Sequence, residues 1–126
     1  MAVGPKLNKP LFRTSRPEDA IAFFGRPIPG PWFGIAAEVE GVVVGLAGVV
    51  WRGEEALAFL NCPQRYMPPP LRSHRLARAM LAAARAAGEP AILAAPTPGI
   101  PTARRWLTAL GFRFARNAAG LEIWKA

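Results

Sequence analysis

The chain has 126 residues and a mass of 13.6 kDa, with 52% apolar and 19% charged residues, the size of one domain with one substantial core and too short for separate catalytic and regulatory units. Apolar runs such as VVVGLAGVV exclude a disordered chain, and the lone Cys62 excludes an intrachain disulfide. Sixteen Lys and Arg oppose eight Asp and Glu for a net charge of +8, and all of the excess falls in residues 61–126, where ten bases face only Glu89 and Glu122.

Residues 1–10 carry two prolines, a glycine and two lysines without periodicity and read as a flexible lead-in to one domain over residues 11–126. Residues 11–16 suit a first strand. Pro17, Glu18 and Asp19 then place a proline and two acids where a helix N-terminus favours them, and the short apolar helix that follows stops at Gly25 and the proline-rich RPIPGP. Residues 32–40 and 42–51 are extended and apolar around a tight Glu40-Gly41 turn, and residues 56–62 complete a three-strand meander.

Three consecutive prolines predict an extended segment over residues 67–71. Ser73 offers an N-cap for a helix reaching about Ala87 and stopped by Gly88, with Leu76, Met80, Ala84 and Ala87 facing the sheet and Arg78 and Arg85 sharing an exposed stripe. Residues 90–95 form a short apolar strand, TPGIP a loop, and residues 102–110 a helix ended by Gly111. Residues 112–116 and 121–124 make a last strand pair around the turn Asn117-Ala118-Ala119-Gly120. Strands on both sides of helices in so short a chain imply an α/β fold: a mixed, mostly antiparallel sheet of six or seven strands flanked by about three helices.

Three segments carry a resemblance: PEDAIAFFG near the start, ARRWLTALGFRF at residues 103–114, and the terminal GLEIWKA. Together with the order of elements they resemble the GCN5-related N-acetyltransferase (GNAT) superfamily, in which acetyl-CoA lies in a cleft between two splayed parallel strands. The likeness covers residues 11–126. Ala103, Gly111 and Phe112 fit the family's Ala-x-x-x-Tyr-x-x-x-Gly-Phe segment, and the family's Arg/Gln-x-x-Gly-x-Gly/Ala signature corresponds to Arg72-Ser73-His74-Arg75-Leu76-Ala77. Arg72 and Ala77 match that signature, and Arg75 stands where a glycine lets diphosphate approach the backbone. Leu107 replaces the tyrosine that is the usual proton donor to the CoA thiolate.

The resemblance implies acetyl-CoA or CoA as cofactor, its pyrophosphate over the helix start formed by Arg72, Ser73, His74, Arg75, Leu76 and Ala77, and its pantetheine arm beside the strand ending at Cys62. Cys62 itself reads as a small buried apolar residue rather than a nucleophile. Glu38 and Glu40 are the candidate bases for an amine acceptor, ahead of the turn residues Glu54 and Glu55, and Tyr66, the only tyrosine, is the candidate proton donor. Trp32 and Phe33 are candidates to line an acceptor pocket, with core packing the simpler reading, and Trp106 and Phe112 read as core. One histidine and one cysteine give no metal-ligand spacing, so no metal is expected.

Three functions compete. The first is acyl-CoA-dependent N-acyl transfer, most simply acetyl transfer, to an amine on a small molecule or a protein. The second is a catalytically inactive protein of the same fold acting in phage assembly, since the short chain resembles the reduced GNAT-like proteins of phages and prophages; its partners would be virion proteins and its location the virion. The third is nucleic-acid binding through the basic half, disfavoured because Tyr66 is the lone aromatic among Arg65, Arg72, Arg75, Arg78 and Arg85. Apolar stretches well short of the roughly 20 residues of a membrane span, and an N-terminus without an apolar signal core, lead to the expectation of a cytoplasmic protein with no membrane partner, as a monomer or a homo-oligomer.

Overall fold

A computed structural model describes residues 9–88, 91–96 and 101–126. Most of the lead-in, Pro90 and most of the TPGIP loop therefore lie outside the described residues. The chain runs β1 (Leu11–Thr14), α1 (Pro17–Phe24), β2 (Trp32–Val39), β3 (Val42–Arg52), β4 (Glu55–Asn61), a single 3-10 turn (Gln64–Tyr66), α2 (Pro70–Ala86), β5 (Ile92–Ala94), α3 (Pro101–Ala109), β6 (Arg113–Ala118) and β7 (Leu121–Lys125). One sheet in the order β1-β2-β3-β4-β5-β7-β6 contains all seven strands. Every neighbouring pair is antiparallel except β4 and β5, as the α/β expectation of a mixed, mostly antiparallel sheet with three helices requires.

The alternation of side chains along β2, β3 and β4 divides the core into two layers. On one face Ala36, Leu46, Trp32 and Phe59 pack with Ala20 of α1; on the other Phe33, Val49, Ala56 and Ala58 pack with Leu81 and Ala84 of α2 and Leu107 and Leu110 of α3. Phe112, 1% exposed, is the largest fully buried side chain. Gly34 and Gly48 lie directly opposite each other across β2 and β3. A Cβ on Gly34 would fall inside the Ala47–Gly48 backbone, and one on Gly48 would strike the Phe33 carbonyl, so the centre of the sheet tolerates only hydrogen at these positions.

α1 is tied down by charge rather than by its small apolar face. Arg13 on β1 donates from Nη1 and Nη2 to the two oxygens of Asp19, each at 2.8 Å, and from Nε to Glu38 on β2 at 2.7 Å. Asp19, 3% exposed, also accepts the Arg16 backbone N–H at 2.6 Å, which closes the first turn of α1 from its N3 position. The paired guanidinium holds the Asp19 carboxyl below its usual range, against the opposing effect of burial.

Local chemistry revises several sequence expectations. Ser73 is not the N-cap of α2: Pro69 is, with Pro70 at the first helical position, where a missing N–H costs nothing. The Ser73 N–H is already bonded to the Pro69 carbonyl at 2.9 Å, and its hydroxyl donates to the Pro68 carbonyl at 3.0 Å. Ala87 is exposed rather than facing the sheet, because the helix ends there and the inward stripe runs through Ser73, Ala77, Met80, Leu81 and Ala84. The final hairpin needs only Ala119 and Gly120 for its turn, both at positive φ (51° and 78°), so Asn117 and Ala118 remain in β6. Glu40 and Gly41, at φ 50° and 82°, form the corresponding two-residue turn between β2 and β3. Phe112 lies outside β6 and terminates α3: its N–H bonds the Leu107 carbonyl at 2.9 Å while that of Gly111, at φ 97°, bonds Thr108 at 3.0 Å, a Schellman cap whose apolar partners are Leu107 and Phe112.

Two outcomes follow. Asp19→Ala should destabilise the protein by about 3 kcal/mol in urea unfolding, because it leaves Arg13 half-paired and α1 without its N-terminal bond. Since the folded-state pKa of Asp19 is depressed, its contribution is present above the ordinary value of 3.8 and is lost as pH falls through the lower folded-state value; the difference between wild type and Asp19→Asn should therefore shrink below about pH 4. Gly34→Ala should cost more than about 2 kcal/mol in the same assay, because it forces β2 and β3 apart at their tightest point.

Candidate functional site

β4 pairs with β3 along its entire length, up to Asn61 opposite Leu46, but with β5 at only two positions, Ala56 with Ile92 and Leu57 with Leu93. Beyond Leu57 the two parallel strands part, and the β5-facing edge of β4 has no strand partner among the described residues. β5 is meanwhile drawn toward β7, pairing Leu93 with Lys125 and Ala94 with Trp124, while the Ala126 N–H bonds the Ile92 carbonyl at 2.9 Å. A cleft thus opens beside residues 58–62, at the end of β4 that leads into α2.

An apolar cavity of about 90 Å³ lies under the first turns of α2, against this stretch of β4. The sheet contributes Phe12, Ile35, Ala37, Ala47 and Leu60, the loop Met67 and Pro68, α2 Leu76, Ala77 and Met80, and α3 Trp106. Only Cys62, Ser73 and the Trp106 indole bring polar side-chain atoms, and the Ser73 hydroxyl is spent on Pro68. The Cys62 sulfur sits where a Cβ on Gly45 would lie, 2.7 Å away, and burial pushes its thiol up from the ordinary cysteine range. Cys62 is thus a neutral packing residue, as its sequence context suggested. The surface of this half-open cavity is almost wholly apolar, so an apolar group suits it.

At the mouth, α2 begins with an unusual donor inventory. Of the four N–H groups that a helix start leaves unpaired, those at Pro69 and Pro70 do not exist; Leu71 and Arg72 supply the remaining two. Ser73, His74, Arg75, Leu76 and Ala77 lie within the helix, where backbone N–H groups bond to the preceding turn. Arg72 spreads its guanidinium over the Phe12 ring, 5.2 Å from the centroid, placing a cation next to a residue that lines the cavity. α2 carries no acidic residue, and Arg72, Arg75, Arg78 and Arg85 are all exposed on it.

The residues singled out from sequence separate into groups. Cys62, Ser73, Leu76 and Ala77 line the cavity, Arg72 is exposed beside it on the Phe12 ring, Arg75 is exposed on α2 outside the lining, and His74 is half-buried and outside the lining. Glu38 belongs to the Arg13 cluster on the α1 face of the sheet, Glu40 forms the exposed hairpin turn, and Tyr66 lies in the 3-10 turn with Arg65 stacked 4.9 Å from its ring centroid. None of these three lines the cavity. Trp32 and Phe33 pack in the two core layers, and Leu107 fills the core beneath the α3 cap. Trp106 was missed as a site residue; the i, i+3, i+4, i+7 pattern of Ala103, Trp106, Leu107 and Leu110 was the available signal. The strand residues of the lining were missed because their neighbours across the sheet are set by register.

Among the described residues no group of three or more His, Cys, Asp or Glu is placed to hold a metal ion, and no helix is long and apolar enough to cross a membrane. No protein-family model and no curated protein matches the sequence. Solved structures do resemble it. YncA from Salmonella typhimurium, solved with its cofactor acetyl-CoA, is 14% identical with a TM-score of 0.61 over 94% of this chain and 93% of that one. An acyl-CoA N-acyltransferase from Pseudomonas aeruginosa gives 9% identity and 0.58 over 93% and 97%. PaiA N-acetyltransferase from Thermoplasma acidophilum, in complex with coenzyme A, gives 11% and 0.57 over 72% of this chain; the chain spans 57% of its length. The sheet order, the single parallel pair that parts beside a helix start, and these likenesses agree: the chain has the fold of the GCN5-related N-acetyltransferases.

Proposed function

We propose that this protein binds an acyl-CoA thioester and transfers the acyl group to an amine. The observation that carries the reading is the parting of β4 from β5 after Leu57, which leaves a strand edge free to bond an extended pantetheine arm within reach of the α2 start. The diphosphate would meet the Leu71 and Arg72 N–H groups and the exposed guanidinium groups of Arg72 and Arg75. With two prolines at the helix start, the side chains carry more of that anion contact than backbone does.

The transfer step is attack of a neutral amine nitrogen on the thioester carbonyl: the C–N bond forms, the C–S bond breaks, and the proton shed by nitrogen passes through water to the departing thiolate. Among the described residues no carboxylate or imidazole lines the cavity, and Leu107 has no proton to give. Catalysis on this chain is therefore chiefly the holding of amine and thioester together. A second reading, a protein that binds without turnover and acts in assembly, as the phage-type resemblance implies, is favoured by that same lack of an acid or base.

Isothermal titration with CoA and acetyl-CoA tests the proposal: saturable binding is expected, weakened about tenfold by Arg72→Ala and weaker at high salt, and no heat at millimolar ligand overturns it. With an amine acceptor, kcat/KM should rise tenfold per pH unit up to the acceptor's own pKa without a second inflection from the enzyme; a bell-shaped profile would point instead to a titrating residue.

A further inference from the structure

We infer that the cavity beneath α2 takes the hydrocarbon tail of the acyl group, so that the preferred thioester carries a chain of about four carbons rather than acetyl. This inference rests on the acyl-CoA reading above and adds a chain length to it.

The cavity is placed for that tail. Leu60, which lines it, belongs to the stretch of β4 beyond its last pairing with β5, Cys62 follows directly after that strand, and Trp106 comes from the helix that follows β5. An acyl group presented at the free edge of β4 thus has the cavity beside it, between the sheet and α2.

The lining decides the chemistry of the occupant. Beyond the Ser73 hydroxyl, already donated to Pro68, the neutral Cys62 thiol and the single indole N–H of Trp106, every lining side chain is a hydrocarbon, a thioether or a phenyl ring. A carboxylate, hydroxyl or amine inside would lose its water and find at most that one donor. Hydrocarbon gains burial and dispersion contact where the empty cavity has neither. The charged part of the ligand belongs outside, where Arg72 lies on the Phe12 ring at the mouth.

The volume sets the length. A cavity of roughly 150 Å³ accepts the six carbons of benzene, or about 25 Å³ per carbon. The 90 Å³ here holds three or four carbons on that scale. A butyryl group, with its carbonyl at the strand edge, places three carbons inside; acetyl places one and leaves most of the cavity empty.

The experiment is titration of the full chain with CoA, acetyl-CoA, butyryl-CoA and octanoyl-CoA, alongside two lining variants checked for folding by thermal melting. Butyryl-CoA is expected to bind about fifteenfold more tightly than acetyl-CoA, the effect of two methylenes at about 0.8 kcal/mol each, with octanoyl-CoA gaining nothing further. Ala47→Leu, which fills the cavity, should abolish the butyryl advantage, read as the ratio of butyryl-CoA to acetyl-CoA affinity in the same variant. Met80→Ala, which enlarges it, should move the optimum to a longer chain, so the two variants shift preference in opposite directions. If CoA and acetyl-CoA bind but butyryl-CoA binds no better, or if both variants leave the preference unchanged, the chain-length inference falls and the acyl-CoA reading stands. If none of the thioesters nor CoA binds, both fall together.

Discussion

Everything that could serve as a site on this protein depends on an asymmetry in how β4 is held. One edge is paired with β3 over its full length, so the strand is straight and rigid; the other is paired with β5 for two residues and then free. A strand edge in water is ordinarily a liability, a template for unwanted pairing. Here β5 is only three residues long, its other edge is taken up by β7, and the helix that follows β4 overhangs the gap. The cleft is therefore a consequence of β4 running on past the end of the short β5, and its walls include β4, α2 and α3.

The remainder of the sheet keeps that geometry fixed. The facing glycines at 34 and 48 draw β2 and β3 together, and Gly45 yields its Cβ space to the Cys62 sulfur, which seats the chain as it leaves β4 for the turn and α2. On the opposite face α1 has only eight residues, and Ala20 is its one fully buried apolar side chain. The Arg13 guanidinium compensates by bridging β1, β2 and α1 through Glu38 and Asp19. Removing either carboxylate leaves a largely enclosed cation short of a partner, the situation in which buried ion pairs matter most.

Much of the fold was legible because local chemistry and tertiary structure agree. β-branched composition marked β3, Glu40-Gly41 marked its turn, and Gly111 marked the end of α3. The candidate site was legible only in part. Glu38 stood out as an acid on an apolar strand, and nothing in the primary structure revealed that Arg13, 25 residues earlier, would claim it. Ser73 had the composition of an N-cap, but the prolines before it start the helix four residues sooner, since proline at the first helical position is preorganised and gives up no hydrogen bond there. That shift moved Arg72 and Ser73 from ahead of the helix into it, and the two prolines reduced the free backbone donors to two.

The sequence by itself determined the element order, the excess of charge in residues 61–126, the lack of a proton donor at Leu107 and the lack of metal-ligand spacing, because these are properties of residue type and local periodicity. Tertiary structure alone decided which carboxylates are occupied, where β4 and β5 separate, and that residues as distant as Phe12 and Trp106 line one apolar cavity. The physical reason is that pairing register, and the point at which one strand outruns its neighbour, are long-range choices; no window of sequence contains both partners, so no local pattern can express the outcome.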